Sequence, residues 1–197
     1  MRKFLRQGIV GLSAAASLAL LPTAVTPAQA APSATPAQAA PSATPAQAAP
    51  SAIASGMTWT VLAGGAANGT VRVGADSATD PYNGDTPATA TLPLLCLRVT
   101  GSAVPSGITP DFYAGWARGT VAATPPVQGK ALTSLSVANN LCVQYYGTGW
   151  RVAEFHDGRY GSNLESSGGW SFWAHGYVPG NTRFWATIND QPANPWN

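Results

Sequence analysis

Four ionisable side chains stand within seven residues of one another: Arg151, Glu154, His156 and Asp157, in the stretch GTGWRVAEFHDG from Gly147 to Gly158. A histidine flanked by carboxylates can serve general acid–base chemistry or ligate a metal ion. The second histidine of the chain, His175, lies in the aromatic segment WSFWAHGYV. A His/Glu/His zinc site would need a recognised ligand spacing, and neither H-E-x-x-H nor H-x-E with C-x-x-C occurs. No metal and no cofactor is therefore expected. No G-x-S-x-G elbow is present, and neither cysteine has a histidine near it in sequence. The simpler expectation is that Arg151 pairs with Glu154 and that His156-Asp157-Gly158 forms a turn. Glu154, His156, Asp157 and His175 are kept as an alternative polar site.

Aromatic side chains are the other candidates. Six of the seven tryptophans fall in the second half of the chain: Trp116, Trp150, Trp170, Trp173, Trp185 and Trp196. Large aromatics are mostly buried, but one left half-exposed beside polar groups stacks well on a sugar ring or a protein partner. Trp196, beside the polar segment DQPAN, is the favoured one. Asp190, Gln191 and Asn194 would supply its hydrogen bonds.

These residues must be positioned by what precedes them. Arg2, Lys3 and Arg6, the apolar run Ile9 to Leu21 and the Ala28-Gln29-Ala30 site make residues 1–30 a secretory signal. No later run reaches the roughly 18 apolar residues of a membrane helix. Three copies of TPAQAAPSA then fill 26–34, 35–43 and 44–52. Two prolines per copy and no large apolar side chain predict an extended spacer, residues 31–56. Residues 57–197 form one domain. The chain has ten basic and eight acidic residues; without the three basic residues of the signal, seven face eight. Such a balance disfavours electrostatic binding to nucleic acid. The expected location is outside the cell or in the envelope.

Within the domain, Thr58 to Leu62 and Thr70 to Val73 alternate around Asn68-Gly69 and predict a β-hairpin. Asp80, Asn83 and Asp85 lack the spacing of a calcium loop and suit Asx turns. Leu92 to Thr100 predicts a buried strand bearing Cys96. Residues 104–129, broken by four prolines, predict an irregular loop pinned to the core by Phe112, Tyr113 and Trp116. Thr133 to Tyr146 predicts a helix capped by Ser134 or Ser136, with Val137, Ala138, Leu141, Cys142 and Tyr145 as its apolar stripe. An exported chain with two cysteines predicts one disulfide, Cys96–Cys142; two buried thiols are the alternative. Closing that loop stabilises a fold by about 4 kcal/mol in the chain-entropy account. Gly161 to Gly169 predicts a surface loop. Trp170 to Val178 predicts a strand buried on both faces, with Arg183 to Asn189 as its partner and 190–197 as a terminal loop.

A cysteine-bearing helix, then Gly149-Trp150-Arg151-Val152, then tryptophan-rich strands, resembles the C-type-lectin-like fold of bacterial proteins with a Gly-Trp-Arg-Leu-Pro-type motif. The closing QPANPW, Gln191 to Trp196, is similar to that family's Gln-Pro-Asp-Asn-Trp sugar-binding loop, with Ala193 at the Asp position. The resemblance covers about Thr133 to Asn197. The wider pattern is similar to a group of secreted bacterial proteins of unknown role. The C-type-lectin-like resemblance, with the elements read above, implies an α+β, C-type-lectin-like fold with an N-terminal hairpin, one main helix and antiparallel tryptophan-rich strands. It also implies a binding module for a glycan or a protein surface. A small hydrolase using His156 and His175 with an acid is the rival, and a structural envelope protein the third possibility.

Overall fold

β-Branched and aromatic side chains alternate along Thr58–Ala63 (β2) and Thr70–Gly74 (β3), and these two pair antiparallel as a hairpin. The structure is a computed structural model that describes residues 53–64, 68–158 and 169–197. All of them belong to one compact unit, Ala48–Asn197. The signal segment, nearly all of the spacer and the loop 161–168 lie outside the described residues. Ser55–Gly56 (β1) pairs with Thr86–Pro87 (β4), so the fold starts inside the segment expected to be spacer.

The fold is α+β. Its other strands are Thr91–Leu92 (β5), Leu95–Val99 (β6), Gly115–Ala123 (β7), Val127–Gln128 (β8), Arg151–Val152 (β9), Ser171–Gly176 (β10) and Phe184–Trp185 (β11). Leu135–Tyr146 (α1) is the single α-helix among the described residues. The main sheet has seven strands in the order β11-β2-β3-β10-β7-β6-β9. Its neighbours run antiparallel except β10 and β7, which are parallel. The expected all-antiparallel arrangement of the tryptophan strands is thus corrected: Trp173 of β10 and Trp116 of β7 sit side by side on parallel strands.

The sheet curls until its two edges meet. Single bridges join Leu94 to Trp185 and Glu154 to Thr187. Phe155 N–H donates to Thr187 O (2.8 Å), and Thr187 N–H donates to Ala153 O (3.0 Å). Curling also separates two cores, because side chains alternate across a strand. Leu95 and Leu97 of β6 point inward with Trp59, Val73, Phe172 and Phe184. Leu94 and Cys96 point outward, under Ala138 and Cys142 of α1. The Cys96–Cys142 disulfide, with a Cα–Cα distance of 5.7 Å, staples the helix to the outer face. The helix starts at Ser134, whose hydroxyl accepts from Val137 N–H, and stops at Gly147 at φ 90°. Its buried side is narrower than the expected stripe. Ala138 and Cys142 are buried and Leu141 and Tyr146 half-buried, while Val137 and Tyr145 face solvent.

Three further expectations are corrected. The supposed loop 104–129 contains β7, the longest strand of the sheet. Its sequence GWARGTVAA hides it, because glycine and alanine are poor strand formers. The glycines are there for space: a Cβ on Gly119 would fall 2.1 Å from Arg98 O, and one on Gly115 only 1.3 Å from Gly158 O. Trp116 is buried and donates from Nε1 to Ser102 O (2.8 Å), whereas Phe112 and Tyr113 are 55% and 63% exposed and meet each other edge to face. The partner of β11 is β2, not β10. Finally, β10 is buried on one face only: Phe172 and Ala174 point inward, and Trp173 and His175 remain half-covered.

Polar anchors hold the segment 76–86. Asp85 accepts from Thr58 N–H (3.0 Å) and Asp80 N–H (3.1 Å). Asp80 accepts from Tyr82 N–H and Asn83 N–H, an Asx turn as expected. Arg183 donates twice to Asp76 (2.9 and 2.8 Å) and also to Thr58 and Thr79.

Candidate functional site

The stretch Gly147 to Gly158 leaves α1, forms β9 along the edge of β6, and turns at 155–158. The expected turn at His156-Asp157-Gly158 is present. Gly158 is needed there, since a Cβ would meet Phe172 Cβ at 2.5 Å. The ion pairing differs from expectation. Arg151 pairs with Asp157, not Glu154: Nη1 donates to Oδ2 (2.8 Å) and Nη2 to Oδ1. The fork geometry of guanidinium matches a carboxylate held side-on. Asp157 Oδ2 also accepts from Glu154 N–H (2.7 Å), which closes the turn. Burial lowers the pKa of Arg151, but the bonds to Asp157, its charge and that of Glu154 outweigh this and raise it.

Glu154 is left for His156. Its Oε2 accepts from His156 N–H (2.7 Å), and its Oε1 lies 2.9 Å from His156 Nδ1 and 3.1 Å from Asn189 N–H. A carboxylate only accepts, so this contact places an imidazole proton on Nδ1, and in the neutral ring the lone pair is then on Nε2. Nε2 stands 3.6 Å from Oδ2 of Asp190, beyond hydrogen-bond range. Asp190 is 59% exposed on its side chain, while Glu154 and His156 are nearly covered.

Around this pair is an open cleft of about 230 Å³, walled by Leu135 and Asn139 of α1, Arg151 and Val152 of β9, and Thr187 and Asn189 after β11. Asn139 and Asn189 were not legible as site residues. Asn139 is a mid-helix asparagine whose Oδ1 accepts from Val152 N–H (3.0 Å), a tertiary contact with no local pattern. Thr187 Oγ1 donates to Ala153 O and so stays out of the cleft chemistry.

His175 does not join His156. It stands on β10 between Thr70 and Thr120, its ring edge-on to Trp116 at 5.1 Å. Among the described residues, no group of three His, Cys, Asp or Glu side chains is arranged to hold a metal ion.

The closing loop divides its expected ligand residues. Asn194 is buried and structural: Oδ1 accepts from Ile188 N–H, and Nδ2 donates to the carbonyls of Ile188 and Gln191. Ala193 is fully buried. Asp190 goes to the His156 cleft, and half-buried Gln191 lines neither cavity. Trp196 packs against the core beneath α1 and also lines a groove of about 340 Å³ with Pro195, Leu132, Ile53, Thr89 and Lys130. The groove and the cleft flank the start of α1, Leu132 and Thr133 lining one, Leu135 and Asn139 the other.

Comparison with protein-family models, curated proteins and solved structures finds no match.

Proposed function

We propose that the protein is an exported binding module that holds a glycan along the start of α1, with Trp196 as the stacking surface. The observation that carries this is the position of Trp196. It is anchored by core packing on one side and lines an open groove on the other, between apolar Leu132 and Pro195 and polar Thr89, Thr133 and Lys130. Sugar recognition needs this combination: an aromatic face for the C–H side of the ring and hydrogen-bonding groups at its rim. The C-type-lectin-like resemblance supports reading Gln191–Trp196 as the ligand loop, with Ala193 and Asn194 as its framework and Trp196 as its contact. Export is supported by the signal segment and the disulfide. No described helix is long and apolar enough to cross a membrane.

The test is intrinsic tryptophan fluorescence of the full chain titrated with cell-wall and host glycans. A saturable shift that disappears in Trp196→Ala, with thermal unfolding still cooperative, supports the assignment. Absence of a shift with every glycan overturns it.

A further inference from the structure

The His156 cleft carries chemistry that sugar binding does not use. We propose that Glu154 and His156 form the positioning–base pair of an ester hydrolase, removing acyl groups from hydroxyls of the glycan held beside Trp196. The glycan part of this proposal rests on the binding reading above; the pair itself does not.

Two of the three elements of a base-catalysed site are present. The base is oriented, because Glu154 fixes the ring through Nδ1 and through the His156 N–H. Nε2 stands in an open cleft without a hydrogen-bond partner among the described residues. A donor for developing negative charge is at hand in Asn139. Its Oδ1 is occupied by Val152 N–H, and its Nδ2 has no partner among the described residues. The missing element is a nucleophilic side chain. Among the described residues, no serine or cysteine lines the cleft, and Thr187 Oγ1 is bonded to Ala153 O. The nucleophile assigned in this proposal is water.

The step balances simply. His156 Nε2 takes a proton from water as the water oxygen bonds to the ester carbonyl carbon. The carbonyl oxygen gains charge beside Asn139 Nδ2. The bond from that carbon to the sugar oxygen then breaks, and the proton on Nε2 passes to the departing oxygen, giving a free hydroxyl and a carboxylic acid. Esters suit this site better than the alternatives. A phosphodiester would bring negative charge against Glu154 and Asp190, with Arg151 already committed to Asp157. An amide would need stronger stabilisation of its oxyanion than a single amide donor gives. Asp190, 3.6 Å from Nε2, is placed to orient the attacking water.

The experiment uses the full chain with its disulfide intact and two probes: an acetylated xylo-oligosaccharide, and p-nitrophenyl acetate, which carries no sugar. Acetate release from both is expected, with kcat/KM lowered about 100-fold or more in His156→Gln. Asp190→Asn changes an exposed side chain and should lower kcat with KM unchanged. Glu154→Gln should do the same, as expected for a positioning residue. Hydrolysis by His156→Gln at the wild-type rate overturns the proposal, as does failure of the wild type on both probes. If only the aryl ester is cleaved, in a His156-dependent way, the pair stands and the glycan substrate falls. A saturable fluorescence shift with glycan and no hydrolysis of either probe leaves binding intact and overturns catalysis.

Discussion

Glu154 and His156, two residues apart, are joined twice: the backbone N–H of His156 bonds one carboxylate oxygen and its ring Nδ1 approaches the other at 2.9 Å. Asn189 N–H, arriving from the far end of the chain, adds a third contact to the same carboxylate. The side chain that orients the imidazole is thus also a structural clasp between the turn and the segment after β11.

That double duty predicts a measurable cost. Replacing Glu154 by Ala strands N–H donors in a covered position, and hydrogen bonds to a charged acceptor are among the stronger ones. A loss of roughly 2–3 kcal/mol is expected in urea unfolding. Nitrogen-15 NMR of the imidazole should show the tautomer preference relaxed as well. An unchanged preference would mean that Glu154 does not set the ring.

The Arg151–Asp157 pair makes a separate prediction. Asp157→Ala leaves a half-covered guanidinium without its fork partner and Glu154 N–H without an acceptor. The pair is neither fully exposed nor fully buried, so roughly 2 kcal/mol lies between the two limits. Arg151→Met in the same background should recover part of it, measured as the midpoint shift of the double variant against the single.

Acid should weaken the fold through the segment 76–83. Asp76 is raised by burial, but bonds from Arg183, Ala78 N–H and Thr79 outweigh this and bring it below the ordinary Asp value. Asp80 is lowered by Asn83 N–H, the Asn83 side chain and Tyr82 N–H. A carboxyl group that releases its proton more readily when folded adds stability above its unfolded pKa. It loses that contribution as pH falls through the folded value. The melting temperature should therefore hold near neutrality and fall below about pH 4. Asp76→Asn should flatten the acid limb, and an unchanged acid limb would count against the role given to Arg183.

Gly115 sits where β7 meets the end of the site turn. Its missing side chain lets Gly158 O approach to within what would be 1.3 Å of a Cβ. Gly115→Ala should cost about 3 kcal/mol, the upper range for overpacking. It should also shift the NMR signals of His156 more than those of His175. Equal shifts would place the strain elsewhere.

Reduction should have a large effect too. The bridge closes 46 residues of chain and fixes α1 over the Leu94–Cys96 face. Cys96→Ser with Cys142→Ser should lower stability by about 2–5 kcal/mol, read from urea curves.

Much of this was legible from local pattern. The hairpin at β2–β3, the strand at Cys96, a cap at Ser134 or Ser136 and the Asx turn at Asp80 follow from neighbouring residue types, and the disulfide from two cysteines in a chain read as exported. The strand at Gly115–Ala123 was not, because its glycines and alanines answer to backbone crowding by Arg98 and Gly158, which only the folded sheet reveals. Pairing of β11 with β2 was invisible for a related reason: strand order is a tertiary fact. At the site, Glu154, His156 and Asp157 were marked by their chemistry, yet their partners were exchanged. Arg151 reaches Asp157 because the turn at 155–158 folds back on β9. Asn139 and Asn189 carried no mark. Asn194, expected as a ligand residue, spends its amide on Ile188 and Gln191, and a buried asparagine that ties its own loop has the same sequence appearance as an exposed one.

The seam of the curled sheet has a consequence for how the molecule is made. Closure depends on β11 and the residues after it: Trp185 and Thr187 bridge to Leu94 and Glu154 at the seam, while Phe184 and Trp185 pair with Trp59 and Thr58 from the opposite end of the described chain. A polypeptide that emerges residue by residue holds β2 with no partner on that edge until the last strand appears. Such long-range pairing is slow to form. A chain threaded N-terminus first through a membrane channel would therefore stay pliable throughout its passage. Its acid–histidine cleft, completed by Thr187, Asn189 and Asp190, would come into being only after the crossing is over.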